Sequence, residues 1–112
     1  MRLVIVDGNG IEQTVIAQSV ETPVDASGVL AGAGSQPLLA ANPLRAGWLF
    51  LNDSAHVMRI NELGGDATAA GAWIVPAGGY FPPPGYPVTV GQINISGTNA
   101  DAYTVREWST PA

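Results

Sequence analysis

The stretch that decides the fold is Asn42-Pro43-Leu44-Arg45-Ala46-Gly47-Trp48-Leu49-Phe50-Leu51-Asn52. Pro43 cannot donate to a sheet and biases Asn42 toward extended geometry, so a strand should begin after it. The apolar run at residues 48–51 is too short and too aromatic for a helix, and both of its faces are apolar. We therefore predict a strand buried on both faces, in a sandwich core or at a subunit interface.

Composition supports a small folded domain that has too few charges to cover its surface. The chain has 112 residues with 14 Gly and 9 Pro, which leaves little room for helices of ordinary length. Hydrophobic residues make up 46% and charged residues only 12%, with no lysine. Because a small monomer leaves about a third of its surface uncovered, we predict that part of the exterior is buried against other subunits. The alternative is a monomer whose exterior consists of Ser, Thr, Asn, Gln and Gly.

Charge and hydropathy argue against several classes of partner. The net charge is −5 and the four arginines are scattered, so we expect neither nucleic-acid nor membrane binding. No window approaches the ~20 apolar residues of a membrane span, and residues 1–6 lack the apolar core of a signal peptide. Without cysteine there is neither a disulfide framework nor a thiolate zinc site.

The N-terminal third predicts a hairpin and an extended arm. Residues 3–6 and 11–20 flank Asp7-Gly8-Asn9-Gly10, whose Asn-Gly pair suits a tight hairpin turn. Residues 21–41 are broken by Gly and Pro, which indicates an arm lying on a neighbour or a loop crossing the sandwich; an ordered loop of that length is unusual, which favours the arm. We expect residues 1–41 to form the hairpin and arm, and residues 42–112 the core of a single domain.

The remaining sequence predicts short strands at residues 57–61, 73–75, 88–96 and 103–108, separated by turns. Val88 and Val90 differ in parity from Ile93 and Ile95, which predicts a β-bulge at residues 91–92. This spacing is typical of an all-β, single-domain β-sandwich or jelly-roll-like barrel.

The sequence provides no constellation for catalysis. His56 stands alone near Asp53 and is interpreted as a surface histidine, since catalysis needs converging groups. Glu62 and Asp66 lack the alternating oxygen ligands of a calcium loop. We predict no enzymatic activity, no catalytic, metal or cofactor-binding residue, and no cofactor.

The aromatic residues leave two interpretations open. Trp48 and Trp73 lie in apolar strands and are expected in the core or at subunit contacts, whereas Trp108 is a contact residue or a plug over the sandwich end. Residues 80–87 contain two tyrosines, one phenylalanine and four prolines, so this stiff loop is either a docking element or a rigid cover.

An ordered series of short motifs resembles a family of small virion proteins of tailed bacteriophages. The series spans residues 27–107: Ser27-Gly28, Gly32 and Gly34, Leu38-Leu39-Ala40-Ala41-Asn42-Pro43-Leu44-Arg45, Asn52-Asp53-Ser54, Gly64-Gly65-Asp66-Ala67-Thr68, Pro76-Ala77-Gly78-Gly79 and Tyr103-Thr104-Val105-Arg106-Glu107. The resemblance implies a capsid decoration (cement) protein with a β-sandwich or jelly-roll fold, or a comparable accessory piece of the virion.

On this basis we expect a protein on the outer surface of the capsid, bound to the major capsid protein and to itself, as a trimer rather than a dimer. A receptor- or glycan-binding module of a tail fibre or spike is the alternative. The candidate protein-interface residues are Arg2, Val4, Arg45, Trp48, Tyr80, Phe81, Tyr86 and Trp108.

Overall fold

The computed structural model describes the backbone of residues 2–6, 12–16 and 22–111, and side chains over residues 22–111. None of these residues is helical. They form the strands β1 (Arg2–Val6), β2 (Glu12–Ile16), β3 (Val24–Asp25), β4 (Gly28–Val29), β5 (Gln36–Leu39), β6 (Arg45–Asn52), β7 (Met58–Asn61), β8 (Trp73–Val75), β9 (Tyr80–Phe81), β10 (Ile93–Ser96) and β11 (Ala102–Ser109).

Two antiparallel sheets pack into the predicted β-sandwich. One has the strand order β5-β10-β7-β8, and the other has the order β3-β11-β6-β9 with β4 also paired to β11. A separate two-stranded sheet joins β1 to β2 antiparallel, which confirms the predicted hairpin pairing. The turn predicted between these two strands lies outside the described residues.

In strand β6, buried and exposed side chains alternate, although the run of apolar residues in the sequence does not show this. Trp48, Phe50 and Asn52 point into the sandwich and are buried, whereas Leu49 and Leu51 are 48% and 39% exposed. The prediction of burial on both faces is therefore wrong within this chain. Only one parity of β6 reaches the core, because no further layer among the described residues covers the opposite face of its sheet.

The opposing sheet supplies the other half of the core through the inward parity of its own strands. Ile60 pairs with Ile95 across β7 and β10, and Met58 pairs with Val75 across β7 and β8. These four side chains are buried together with Phe50. Aliphatic and aromatic side chains of both sheets therefore exclude water from one shared layer, as in other sandwiches.

Within the described residues, the segment that was predicted as an arm is part of the sandwich. Strands β3 and β4 pair with β11, and β5 pairs with β10. Leu30, Leu38 and Leu39 are buried in the core. The prediction of an arm is therefore wrong for residues 22–41. The strands are too short to show a period in the sequence, so their pairing depends on distant partners.

The long strand predicted at residues 88–96 begins only at Ile93. Val88 and Val90 are exposed, so they do not share a face with Ile93 and Ile95. The register irregularity lies between Ile93 and Asn94 rather than at residues 91–92, where the bulge was wrongly predicted.

Two substitutions in β6 should distinguish its buried face from its exposed face by their effect on stability. Phe50→Ala removes a fully buried ring and should lower the free energy of unfolding by about 3–5 kcal/mol. Leu49→Ala, one residue away on the exposed face, should cost about 1 kcal/mol or less. Urea denaturation followed by tryptophan fluorescence measures both values, and equal losses would contradict the assigned alternation.

Candidate functional site

The outer face of the five-stranded sheet carries a cluster of exposed apolar side chains. Leu51 of β6 lies between Thr104 of β11 and Tyr80 of β9, and Leu49 is paired with Arg106. Tyr80 is 58% exposed. We call this surface, with Leu49, Leu51, Tyr80, Thr104, Arg106 and Trp108, the outer apolar face. Adjacent apolar groups on a charge-poor sheet are typical of a contact surface.

The one arginine on the outer apolar face has an acidic partner beside it. Arg106 Nη1 lies 2.8 Å from Asp25 Oδ1, and both groups are exposed to solvent. Hydrogen bonds from the Ser27 hydroxyl and backbone N–H, together with the nearby Arg106 charge, lower the pKa of Asp25. The carboxylate therefore stays ionised at neutral pH, and the pair adds no net charge to this face.

Trp108 lies against the backbone of β6 on the same face. It is the cross-strand partner of Gly47, and its indole occupies the space that a Cβ at Gly47 would fill. The ring is partly buried. It therefore acts as a side chain packed on the sheet, while its remaining surface extends the outer apolar face.

Arg45, predicted at an interface, is instead buried inside the chain. Its Nε donates to Glu107 Oε2 at 2.6 Å, and its Nη1 and Nη2 donate to the carbonyls of Thr89, Gly91 and Ala40 at 2.7–2.9 Å. The side chain is 0% exposed. The interface prediction for Arg45 is therefore not supported by its position, because its guanidinium already serves the fold.

An aromatic cluster closes the sandwich near the Pro-rich segment. Phe81 lies 5.6 Å from Trp48 and 5.4 Å from Tyr86 between ring centroids. Trp48 and Phe81 are buried in the core, so their predicted place at an interface is not supported, and the rigid cover is the interpretation that describes Phe81. Tyr86 is partly buried. Tyr80 and Phe81 nevertheless pair with β6, which the proline content did not predict.

Trp73 does not lie in the core, so of its two predicted places only a subunit contact remains open. It is 48% exposed, although its ring stacks on Phe81 at 6.0 Å and meets the edge of Tyr86 at 6.2 Å. Of the remaining predicted interface residues, Arg2 and Val4 lie on β1, where the structure describes no side chains. Tyr80, Tyr86 and Trp108 stay predictions as contact residues.

His56 lies near a serine and an aspartate without forming a catalytic triad. Its Nδ1 is 2.8 Å from Asp101 Oδ2. The Ser54 hydroxyl donates to Asn52 Oδ1 at 2.7 Å and accepts the backbone N–H of His56 at 3.2 Å. Since this hydroxyl bonds the backbone of His56 rather than its ring, the histidine is not placed to activate it. The hydrogen bonds of Ser54, His56 and Asp101 stabilise a turn.

The side chain of Asn52 holds that turn through hydrogen bonds, a role that the sequence did not predict. Its side chain is fully buried, and its Nδ2 donates to the carbonyls of His56, Val75 and Pro76 at 2.7–3.2 Å. The Asn52-Asp53-Ser54 cluster signalled a turn, but only the fold brings residues 75 and 76 to the same side chain.

Within residues 22–111, no group of three or more His, Asp or Glu side chains is placed to hold a metal ion. The described residues contain no helix long and apolar enough to cross a membrane. No protein family model, curated protein or solved structure matches the chain. The bacteriophage resemblance therefore stays a prediction.

Removing Arg45 should destabilise the fold far more than removing Arg106. Arg45→Ala leaves buried carbonyls and Glu107 without their donor, and should cost about 3–5 kcal/mol of unfolding free energy. Arg106→Ala breaks an exposed pair and should cost about 1 kcal/mol or less. Thermal and urea unfolding test the contrast, and a tolerated Arg45→Ala would show that the buried hydrogen bonds contribute little.

Proposed function

We propose that this chain is a non-enzymatic capsid decoration (cement) protein that binds the outer surface of the major capsid protein shell as a homo-oligomer. The observation that carries the proposal is the outer apolar face, where Leu49, Leu51 and Tyr80 are exposed side by side. The ordered motif series over residues 27–107 supports the choice of a virion protein. The trimer is preferred to the dimer, as the motif series implies.

The occupant we assign to the outer apolar face is a second copy of the chain. Copies with a net charge of −5 repel one another over most of their surface. The outer apolar face avoids this cost because its arginine is matched by Asp25 within the same chain. When three such faces surround a three-fold axis, Arg106 of one copy can pair with Asp25 of the next, while the leucines leave water.

The shell contact is assigned to the N-terminal hairpin. Strands β1 and β2 pair only with each other among the described strands. An isolated two-stranded hairpin is marginally stable in water, so packing against a further surface would stabilise it. Arg2 and Val4, which were predicted as interface residues, share one parity of β1. Several hairpins in one oligomer would bind a repeating shell with high avidity even where each contact is weak.

Charge placed on the outer apolar face should dissociate the oligomer. The double variant Leu49→Asp/Leu51→Asp buries two carboxylates at the proposed contact and should shift the protein to monomer by at least about tenfold in Kd. Leu63→Asp is the matched control, since Leu63 is exposed on a loop elsewhere. Size-exclusion chromatography with light scattering measures the mass. A wild-type protein that stays monomeric at high concentration would contradict the assembly.

The position of the chain in an intact particle tests the proposal as a whole. Purified virions should contain it in many copies on the head, and particles lacking it should rupture at lower temperature. Cryo-electron microscopy of particles with and without the protein makes the comparison. Particles that carry it on neither head nor tail would contradict both candidate functions.

Location at the tail would instead favour the second candidate, a receptor- or glycan-binding module. That candidate rests on the half-exposed Trp73 beside Tyr86, since aromatic rings stack on the apolar faces of sugars.

A further inference from the structure

A cavity of about 590 Å³ lies on the outer side of the four-stranded sheet, away from the outer apolar face. Its floor is a row of cross-strand neighbours: Arg59 of β7 is paired with Ser96 of β10 on one side and with Ile74 of β8 on the other. Thr68 and Val57 contribute to the walls. The volume is within the range of about 300–1,000 Å³ that is common for ligand pockets.

A loop is fixed over this sheet and gives the cavity a stable wall. The buried Ser96 hydroxyl donates to the carbonyl of Ala67 at 2.8 Å, and the N–H of Ala67 donates to Ser35 Oγ at 2.9 Å. Asn94 Nδ2 donates to the carbonyls of Gly64 and Gly65 at 2.9–3.0 Å. These bonds fix residues 64–67 against β10, which places the neighbouring Thr68 at the edge of the cavity.

Arg59 differs from the other arginines with described side chains. Arg45 and Arg106 each have a carboxylate within 2.8 Å, whereas Arg59 has neither an ion pair nor a hydrogen bond to any described residue. Arg59 is partly buried and lines the cavity. A guanidinium presents five donors in a planar fork that matches a carboxylate. The cavity therefore contains a positive group whose donors are available to a ligand.

The solvent-exposed hydroxyl of the cavity has the opposite hydrogen-bonding character to Arg59. Thr68 Oγ1 donates its proton to Asp66 Oδ1 at 2.7 Å, so this oxygen can only accept a further hydrogen bond. The Ser96 hydroxyl, in contrast, is buried and bonded to the carbonyl of Ala67. A matching ligand must present an anionic group to Arg59 and a donor to Thr68. Sulfate satisfies only the first requirement, because it has no proton to donate.

We propose that this cavity binds an acidic sugar of the hexuronate class. The carboxylate pairs with Arg59, a sugar hydroxyl donates to Thr68, and the C–H face of the ring packs on Val57 and Ile74, which are 50% and 59% exposed. The inference does not depend on capsid decoration, because the cavity and the outer apolar face belong to different sheets.

Titration with small sugars followed by ¹H–¹⁵N NMR tests the proposal on the full chain. Glucuronate should shift the amides of Thr68, Ile74 and Ser96, while glucuronamide, which has the same hydroxyls but no charge, should bind at least about tenfold more weakly. Arg59→Gln should weaken glucuronate binding by a similar factor, and Arg106→Gln, an exposed arginine on the other sheet, should leave it unchanged.

Several outcomes would overturn the assignment. Glucuronate that causes no shifts at millimolar concentration, or shifts that are scattered over the surface, would show that the cavity is not a sugar site. Equal binding of glucuronamide would remove the role of the charge. Sulfate that binds as well as glucuronate would identify a general anion site. If Arg59→Gln does not fold, the comparison of the two sugars on the wild-type protein still decides the question.

Discussion

The buried guanidinium of Arg45 is the interaction on which the arrangement of this sandwich depends. It joins β6 to β11 through Glu107 and reaches the carbonyl of Ala40, just beyond β5 in the opposing sheet. Its other two bonds hold the carbonyls of Thr89 and Gly91, in a segment with no strand pairing of its own. A charge withdrawn from water is tolerated only when its donors are satisfied, so four bonds to three separate segments select one packing of the two sheets.

The sequence predicted the positions of most strands better than it predicted which of their side chains are buried. Turn residues and β-branched runs located most strands, including β7, β8 and β11, because these signals are local. The both-face burial assigned to residues 48–51 was wrong because a run of apolar residues does not reveal how many layers its sheet has. The parity argument for Val88 and Val90 was wrong because that segment is held by Arg45 rather than by a ladder. Strands β3 and β4 could not be predicted, since two residues carry no period.

The candidate sites, too, depend partly on features that are visible in the local sequence and partly on contacts between residues that are distant in the chain. The composition predicted an exterior with few charges. The structure shows where this exterior is apolar, because Leu49, Leu51 and Tyr80 are exposed on the outer apolar face. No pattern in the sequence pointed to Arg59, because its neighbours Ser96 and Ile74 are distant in the chain and meet it only through strand register. Only the structure shows that Arg45 and Arg106 pair with carboxylates, whereas Arg59 has no such partner among the described residues.

No helix covers the sandwich in the described part of the chain, so each sheet has an outer face, and the two differ in chemistry because different elements border them. Short strands β3, β4 and β9 flank the five-stranded sheet and leave its leucines open. The loop after β7 folds over the four-stranded sheet, where Ala67 is buried and Ser96 is bonded to it. An open apolar face favours a broad contact with a protein, whereas a walled face with one arginine favours a small polar ligand. Because the core lies between them, either face can be altered without changing the chemistry of the other.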